Sequence, residues 1–337
     1  MQQINESRIE FGDCRDIMRR WAAQGIKAQT CVTSPPYYHL RNYGVDGQLG
    51  LESSLDDYIA NMVEVFRCVR DVLADDGTLW VNMGDSYNTS NAGNRNGIGT
   101  AYGHEIGKPG NDRPCRVATG IKRQLNDGLK AKDLIGVPWM LAFALRADGW
   151  FLRQDIIWQK PNPMPESVTD RCTKAHEYIF LLSKSGRYFF DHEAIKEPAL
   201  TAGKAIKSAD GWDTGPGAHG AFHRDGREQG KHSGAIQSDT RNRRSVWSVA
   251  TRPYKGAHFA TFPPALIEPC ILAGARPGDF VLDPFMGSGT TAAVAIQHGR
   301  RYLGCELNRE YKSLQDERIG ASIPVSNSQL NLLVPAA

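Results

Sequence analysis

Val281-Leu282-Asp283-Pro284-Phe285-Met286-Gly287-Ser288-Gly289-Thr290 is an apolar run entering a Gly-Ser-Gly turn, and Thr291-Ala292-Ala293-Val294-Ala295 continues it in small residues. The pattern reads as strand, tight turn, helix. Glycines let the backbone approach a ligand, and the first turn of the helix offers unpaired amide donors. A second strand ends at Tyr302-Leu303-Gly304-Cys305-Glu306. An acid in that place is positioned to accept hydrogen bonds from both hydroxyls of a ribose. Two other nucleotide loops fail on residue identity. A P-loop needs GxxxxGK[ST], and no lysine follows here. A dinucleotide fingerprint needs a third glycine where Ala292 stands.

Outward from this point the chain alternates strands and helices. Residues 7–11 and 28–33 predict strands, with a helix over 16–23 between them. Leu55, Tyr58, Ile59, Met62, Val63, Phe66, Val69 and Val72 recur at three- and four-residue intervals, the signature of an amphipathic helix over 55–73. Asp75-Asp76-Gly77 predicts its break and residues 78–83 the next strand. Further helices are expected over 133–148, 263–273 and 290–298. Further strands are expected over 150–158, 177–183, 188–190, 278–283 and 301–306. Such alternation predicts an α/β fold whose mostly parallel sheet is covered on both faces.

Composition narrows the class. The 337 residues are 41% hydrophobic, enough for a core, and no apolar run reaches the length of a membrane span. The N-terminus lacks an apolar signal core, so the expectation is a cytoplasmic protein. Seven scattered cysteines form no CxxC pair, and the nine histidines show no HExxH spacing, so no metal site is expected. Net charge is only +3, but it is unevenly spread. Residues 88–132 carry eight Lys/Arg against three Asp/Glu, and residues 199–257 carry ten against five. Both stretches are rich in polar and small residues, as expected of basic loops facing phosphates, although solvated loops have the same composition.

The second decisive stretch is Thr33-Ser34-Pro35-Pro36-Tyr37, after the strand 28–33. Two prolines fix φ and stiffen the loop. Together with Asp283-Pro284-Phe285 and Gly287-Ser288-Gly289, it resembles the beta class of S-adenosylmethionine-dependent DNA amino-methyltransferases. In that class the catalytic loop precedes the cofactor loop in the chain. The resemblance spans Ile9 to Arg309. It implies a circularly permuted, Rossmann-like methyltransferase sheet with one reversed strand and an inserted DNA-recognition region. On this reading 1–190 and 246–320 form the catalytic domain, with 88–132 a mobile basic loop, 191–245 the target-recognition region and 321–337 a tail.

The same resemblance implies roles for individual residues. The Ser34 hydroxyl and the Pro35 carbonyl accept the two hydrogens of the target amino group, Pro36 stiffens the loop, and Tyr37 offers a face to a flipped base. Residues Thr33, Asp283, Pro284, Phe285, Gly287, Ser288, Gly289, Thr290 and Glu306 surround S-adenosylmethionine, whose ammonium and sulfonium suit a carboxylate such as Asp283. Gly12-Asp13-Cys14 resembles the element touching the adenine ring, with Asp13 accepting from its amino group; a plain turn aspartate is the alternative. Phe262 resembles a further cofactor contact, or simply precedes a helix. Tyr38, His39 and Arg41 are expected to fill the gap left by the flipped base. Lys160, Arg241, Arg243 and Arg244 are candidates for phosphate or base contacts in double-stranded DNA. A homodimer is expected because many members of the class self-associate.

Two features bear on the base. Serine at the first motif position is commoner in N4-cytosine enzymes. The stretches Tyr37-Tyr38-His39-Leu40-Arg41-Asn42-Tyr43-Gly44 and Trp158-Gln159-Lys160-Pro161-Asn162-Pro163-Met164-Pro165-Glu166 resemble a subgroup assigned to N6-adenine, and the reading leans to adenine. A cytosine-C5 mechanism is rejected, because Pro269-Cys270 and Pro114-Cys115 are followed by Ile271 and Arg116 and not by glutamine. Protein glutamine methylation, with its typical Asn-Pro-Pro-Tyr, and a non-catalytic DNA-binding fold are the remoter alternatives.

Overall fold

The computed structural model describes residues 6–88, 128–199, 239–251 and 262–323. Most of the basic stretch 88–132, most of the region 191–245, and residues 324–337 of the tail lie outside them. The strands are β1 (Arg8–Phe11), β2 (Ala28–Thr33), β3 (Leu73–Met83), β4 (Phe151–Gln159), β5 (His176–Ser183), β6 (Glu197–Pro198), β7 (Thr240–Arg241), β8 (Val246–Ser248), β9 (Phe280–Asp283) and β10 (Arg301–Glu306). The helices are α1 (Cys14–Ala23), α2 (Leu55–Val72), α3 (Val137–Ala147), α4 (Pro264–Gly274), α5 (Thr290–Gln297) and α6 (Lys312–Gly320). Two compact units result, Met1–Asp191 with Ser245–Ala337, and His192–Arg244.

The larger unit is built on an eight-stranded sheet of order β1-β10-β9-β2-β3-β5-β4-β8. Pairing is parallel from β1 through β3, β5 runs antiparallel to both β3 and β4, and β8 is parallel to β4. One strand is therefore reversed. The last two long strands of the chain, β9 and β10, sit between β1 and β2, the first two. This is the strand order of a permuted methyltransferase sheet.

Local sequence explains the elements that frame the site. Ser54 caps α2 by accepting from the Asp57 amide, Asp56 and Asp57 lie in the first turn, and Arg70 in the last. The buried stripe Leu55, Tyr58, Met62, Val65, Phe66, Val69, Val72 is the apolar face read from the sequence. Helix α2 runs directly into β3, which begins at Leu73, earlier than expected. The register jumps from Ala28↔Leu73 to Thr30↔Thr78, so Asp75-Asp76-Gly77 loops out as a bulge without ending the strand. Tyr188-Phe189-Phe190, expected as a strand, pairs with none. Phe190 stacks on Trp80 at 6.1 Å between ring centroids, so its aromatic run serves packing and not a ladder. Helix α3 starts at Val137, later than expected, because the Asp85 carboxylate takes the Gly136 and Val137 amides there.

In the smaller unit, β6 and β7 pair antiparallel with Glu197 opposite Arg241. The Glu197 carboxylate accepts from Arg241 Nε at 2.9 Å and from Arg244 Nε at 2.7 Å.

Gly274 ends α4 against the sheet. A Cβ there would stand 2.5 Å from Thr30 Oγ1 and 3.0 Å from Thr78 Oγ1, two hydroxyls that bond each other at 2.9 Å. Gly274→Ala should therefore destabilise the fold by about 1–3 kcal/mol, the usual effect of overpacking a fixed interface. Urea unfolding measures it, and an unchanged midpoint would mean that α4 shifts freely on the sheet.

Candidate active site

The carboxyl ends of β2, β3, β4, β9 and β10 share one edge of the sheet, where ligands of such folds bind. On the cofactor side, β9 ends in Asp283 and the turn follows. Gly287 (φ +54°) and Gly289 (φ +84°) take the left-handed conformation that side chains disfavour, which is why the turn needs glycine at these points. Glu306, at the end of β10, accepts from the Gly287 amide at 2.7 Å and the Asn308 amide at 2.8 Å. It is buried, and burial raises its carboxyl above the usual range. Its oxygens border the turn, so hydroxyls of a nucleoside have an acceptor there. Helix α6, absent from the sequence reading, holds the turn from outside. Gln315 Nε2 donates to the Gly287 carbonyl at 2.7 Å, and Arg318 donates to the Ser288 hydroxyl at 2.8 Å and to Thr290.

Asp283 differs from expectation. Its carboxylate is 1% exposed and faces inward. Oδ1 accepts from Thr33 Oγ1 at 2.7 Å and from the Phe285 amide at 3.0 Å, and Oδ2 from Thr291 Oγ1 at 2.6 Å. It ties the catalytic loop to the cofactor loop and does not aim at a ligand's ammonium. Asp13 and Cys14 are also reassigned. Asp13 is the N-cap of α1, accepting from the Arg15 amide at 2.8 Å and pairing with its guanidinium at 2.6 Å, which keeps its carboxyl below the usual range. The Cys14 thiol lies in the core, where burial pushes it up to about 12. Pro284 is buried, Phe285 packs on the core, and Phe262 is half-buried just ahead of α4.

On the catalytic side, Thr33 ends β2, and Ser34, Pro35, Pro36 and Tyr37 follow. The Tyr58 hydroxyl of α2 donates to the Pro36 carbonyl at 2.8 Å, fixing the loop one residue beyond Pro35. Tyr37 donates to Glu177 Oε2 at 2.8 Å, and Ser34 Oγ stands 3.5 Å from the Tyr37 hydroxyl. Glu177 also accepts from Asn82 Nδ2 at 3.2 Å and pairs with Lys160. Lys160 was expected on DNA phosphates. Its side chain is 17% exposed, paired with Glu177 and 4.5 Å from the centre of the Trp158 ring, so it belongs to the wall of the site.

The segment after the loop is likewise turned inward. Tyr38 is 7% exposed and packs on Tyr58 at 5.3 Å, which removes it as a side chain that could enter the duplex. His39 has φ +49° and bonds the Glu52 carbonyl through Nε2 at 2.7 Å. Arg41 is half-buried, and its charge bears on Tyr43 and Tyr311, toward the cofactor side. Glu177, Asn82 and Gly84 were not singled out from the sequence. Their meeting depends on strand pairing that no local pattern reveals.

A turn with two left-handed glycines, an acid at the next strand end and a stiff Ser-Pro-Pro-Tyr loop on the same sheet edge define a Rossmann-like methyltransferase that uses S-adenosylmethionine. The DNA methylase model of the N6/N4 methyltransferase family matches residues 28–317, and the chain belongs to that family. It is 44% identical to the type II methyltransferase M.Cfr9I of Citrobacter freundii over 317 residues, covering 94% of this chain and 89% of that one. It is 45% identical to M.SmaI of Serratia marcescens over 319 residues, covering 94% and 91%. Similar solved structures include the PvuII DNA methyltransferase (cytosine-N4-specific), with TM-score 0.57, 17% identity, and coverage of 96% of this chain and 88% of that one. Another is a DNA modification methylase of Thermus thermophilus, complexed with S-adenosyl-L-methionine, with TM-score 0.54, 22% identity, and coverage of 94% and 95%. The protein is a type II, site-specific DNA methyltransferase. No helix among the described residues is long and apolar enough to cross a membrane.

Burial raises the Asp283 carboxyl from 3.8 to about 6, against the hydrogen bonds from Thr291, Thr33 and Phe285, which lower it. Between about pH 4 and about pH 6 the folded protein holds this proton and the unfolded chain does not, so stability falls as pH rises through that window, by up to about 3 kcal/mol. Asp283→Asn should flatten that slope when urea midpoints are compared at about pH 4 and about pH 6.5. An unchanged slope would show the carboxylate to be ionised throughout.

Proposed function

We propose that the enzyme methylates the N4 amino group of a cytosine flipped out of double-stranded DNA. Ser34 carries this reading, because it stands at the first motif position, beside the reacting atom, where serine is commoner in N4-cytosine enzymes. The lean to adenine rests on the longer stretches 37–44 and 158–166. In these, Tyr38, His39 and Lys160 are engaged with other protein groups, which weakens them as guides to the base. N6-adenine remains the second reading on the strength of those stretches.

When bound, S-adenosylmethionine supplies an electrophilic methyl group. Residues 285–289 would wrap its methionine part, Glu306 would hold its ribose, and Thr33, Thr290 and Phe262 would border it. The Ser34 hydroxyl and the Pro35 carbonyl would accept the two amino hydrogens, favour a pyramidal nitrogen and expose its lone pair in line with the methyl. Pro35 and Pro36 keep those acceptors fixed, and Tyr37 stacks on the base. The contribution is positioning and acceptor electrostatics, with no covalent enzyme intermediate.

Nucleoside mass spectrometry of unmethylated DNA incubated with enzyme and cofactor should show N4-methylcytosine. N6-methyladenine would reverse the assignment of the base. Ser34→Ala should lower kcat at least about 100-fold while cofactor affinity holds, since an acceptor used in the transition state is removed.

The region 191–245 would read the target sequence, with Arg241, Arg243 and Arg244 near phosphates. Glu197 would present the Arg241 and Arg244 guanidinia. The same reading expects a cytoplasmic enzyme and a homodimer. Replacing Arg241 and Arg244 by alanine should weaken DNA binding and reduce the salt slope by about 0.9 for each phosphate that is no longer neutralised. An unchanged slope would remove both from the interface.

A further inference from the structure

Ser34, Tyr37 and Glu177 form a hydrogen-bonded series whose direction is set at one end. We propose that Glu177 is a positioning residue that acts through Tyr37 to make the Ser34 hydroxyl an acceptor toward the target amino group. The proposal rests on the reading that Ser34 meets that amino group, and does not depend on which base carries it.

The direction originates at Glu177. An ionised carboxylate can only accept. Three donors surround this one: Lys160 on Oε1, and Tyr37 at 2.8 Å and Asn82 Nδ2 at 3.2 Å on Oε2. The same Asn82 Nδ2 donates to the Tyr178 carbonyl at 3.1 Å, which fixes the amide's orientation. Lys160 supplies the balancing charge within the site. Tyr37 must therefore donate. Burial and the neighbouring Glu177 charge hold its hydroxyl protonated by pushing its pKa well up.

With its single proton committed, the Tyr37 oxygen can only accept. The Gly84 backbone amide bears on it, and Ser34 Oγ donates from 3.5 Å. A serine hydroxyl has one proton and two acceptor sites. Turning the proton toward Tyr37 leaves both acceptor sites for N–H groups of the base. A serine without this constraint could rotate and donate to a carbonyl instead. The series therefore favours a base presenting an amino group over one presenting a carbonyl oxygen in the same place. Gly84 makes room for it: a Cβ there would lie 3.0 Å from Tyr37 Cε2 and 3.1 Å from Glu177 Cδ.

The test compares wild type, Glu177→Gln, Tyr37→Phe and the double variant in single-turnover methylation, with cofactor affinity measured for each. Glutamine keeps the size of Glu177 but can donate as well as accept, so the direction is no longer fixed. Each single variant should lower the methylation rate about tenfold, with cofactor affinity held within about twofold. The double variant should be no slower than Tyr37→Phe alone, because Glu177 acts through Tyr37. Independent, multiplying losses would overturn the proposal, as would an unchanged rate in Glu177→Gln. Where Glu177→Gln fails to fold, Tyr37→Phe leaves the Glu177, Lys160 and Asn82 contacts in place and decides alone, an unchanged rate counting against the proposal. Ser34→Ala separates the two readings. A full rate there sinks the acceptor role itself, whereas its loss with a full rate in Glu177→Gln sinks only the present proposal.

Discussion

A buried carboxylate with no ionic partner among the described residues joins the two loops that the chemistry needs. Asp283 ends the strand that leads into the cofactor turn, and Thr33 ends the strand that leads into Ser34. The 2.7 Å bond between them spans 250 residues of sequence. Because Thr33 and Ser34 are adjacent, the same contact sets where the base acceptor stands relative to the turn at 285–289. Methyl transfer requires reacting atoms about 3–3.5 Å apart and in line, so a small slip between the loops would cost much of the rate. The desolvation of Asp283 is offset by donors on both oxygens, and those donors are the residues whose places matter.

The permuted sheet explains why such a tie is required. Strands β1 and β2 leave a gap two strands wide, and only the C-terminal pair β9 and β10 fills it. Closure joins distant segments throughout: the Gly12 amide donates to the Glu306 carbonyl at 2.8 Å, the Met286 amide to the Cys305 carbonyl at 2.9 Å, and the Tyr302 amide to Ser7 Oγ at 3.2 Å. Contacts so far apart in sequence form late in folding, because their loop entropy is lost before they stabilise anything. The cofactor turn therefore reaches its final place with the centre of the sheet, and its geometry depends on the whole fold.

This division separates what the sequence reveals from what it conceals. The strands, the amphipathic helix α2, the glycine turn and the Pro-Pro loop are local patterns, and periodicity with glycine and proline chemistry locates them. Asp283 was visible as an acid before the glycines, yet its direction follows from the pairing of β9 with β2, which lies outside any local window. Asp13 illustrates the converse. An aspartate just before a helix is first a cap, and the Arg15 amide and guanidinium occupy it. Tyr38 and Lys160 misled because an aromatic ring and a cation next to a catalytic motif look exposed in sequence. Tyr58 and Glu177, each far away in the chain, bury them.

The reversed strand β5 is the least legible element and accounts for the contrast between the two halves of the site. A parallel strand in its place would carry its first residues to the opposite edge. Running antiparallel, it pairs Met83 with Tyr178 and Gln159 with His176, which brings Glu177 beside Asn82 and Lys160 at the carboxyl edge. The base side thus holds a carboxylate neutralised by a lysine, where it can orient hydroxyls without adding net charge. On the cofactor side, Asp283 and Glu306 are buried and paired with no cation among the described residues, and burial raises both carboxyls. Two unbalanced acids create a negative potential suited to a cationic cofactor. A balanced pair suits a neutral base whose amino group must meet acceptors of fixed direction. One sheet edge thereby provides two electrostatic environments, and the antiparallel turn of a single strand keeps them apart.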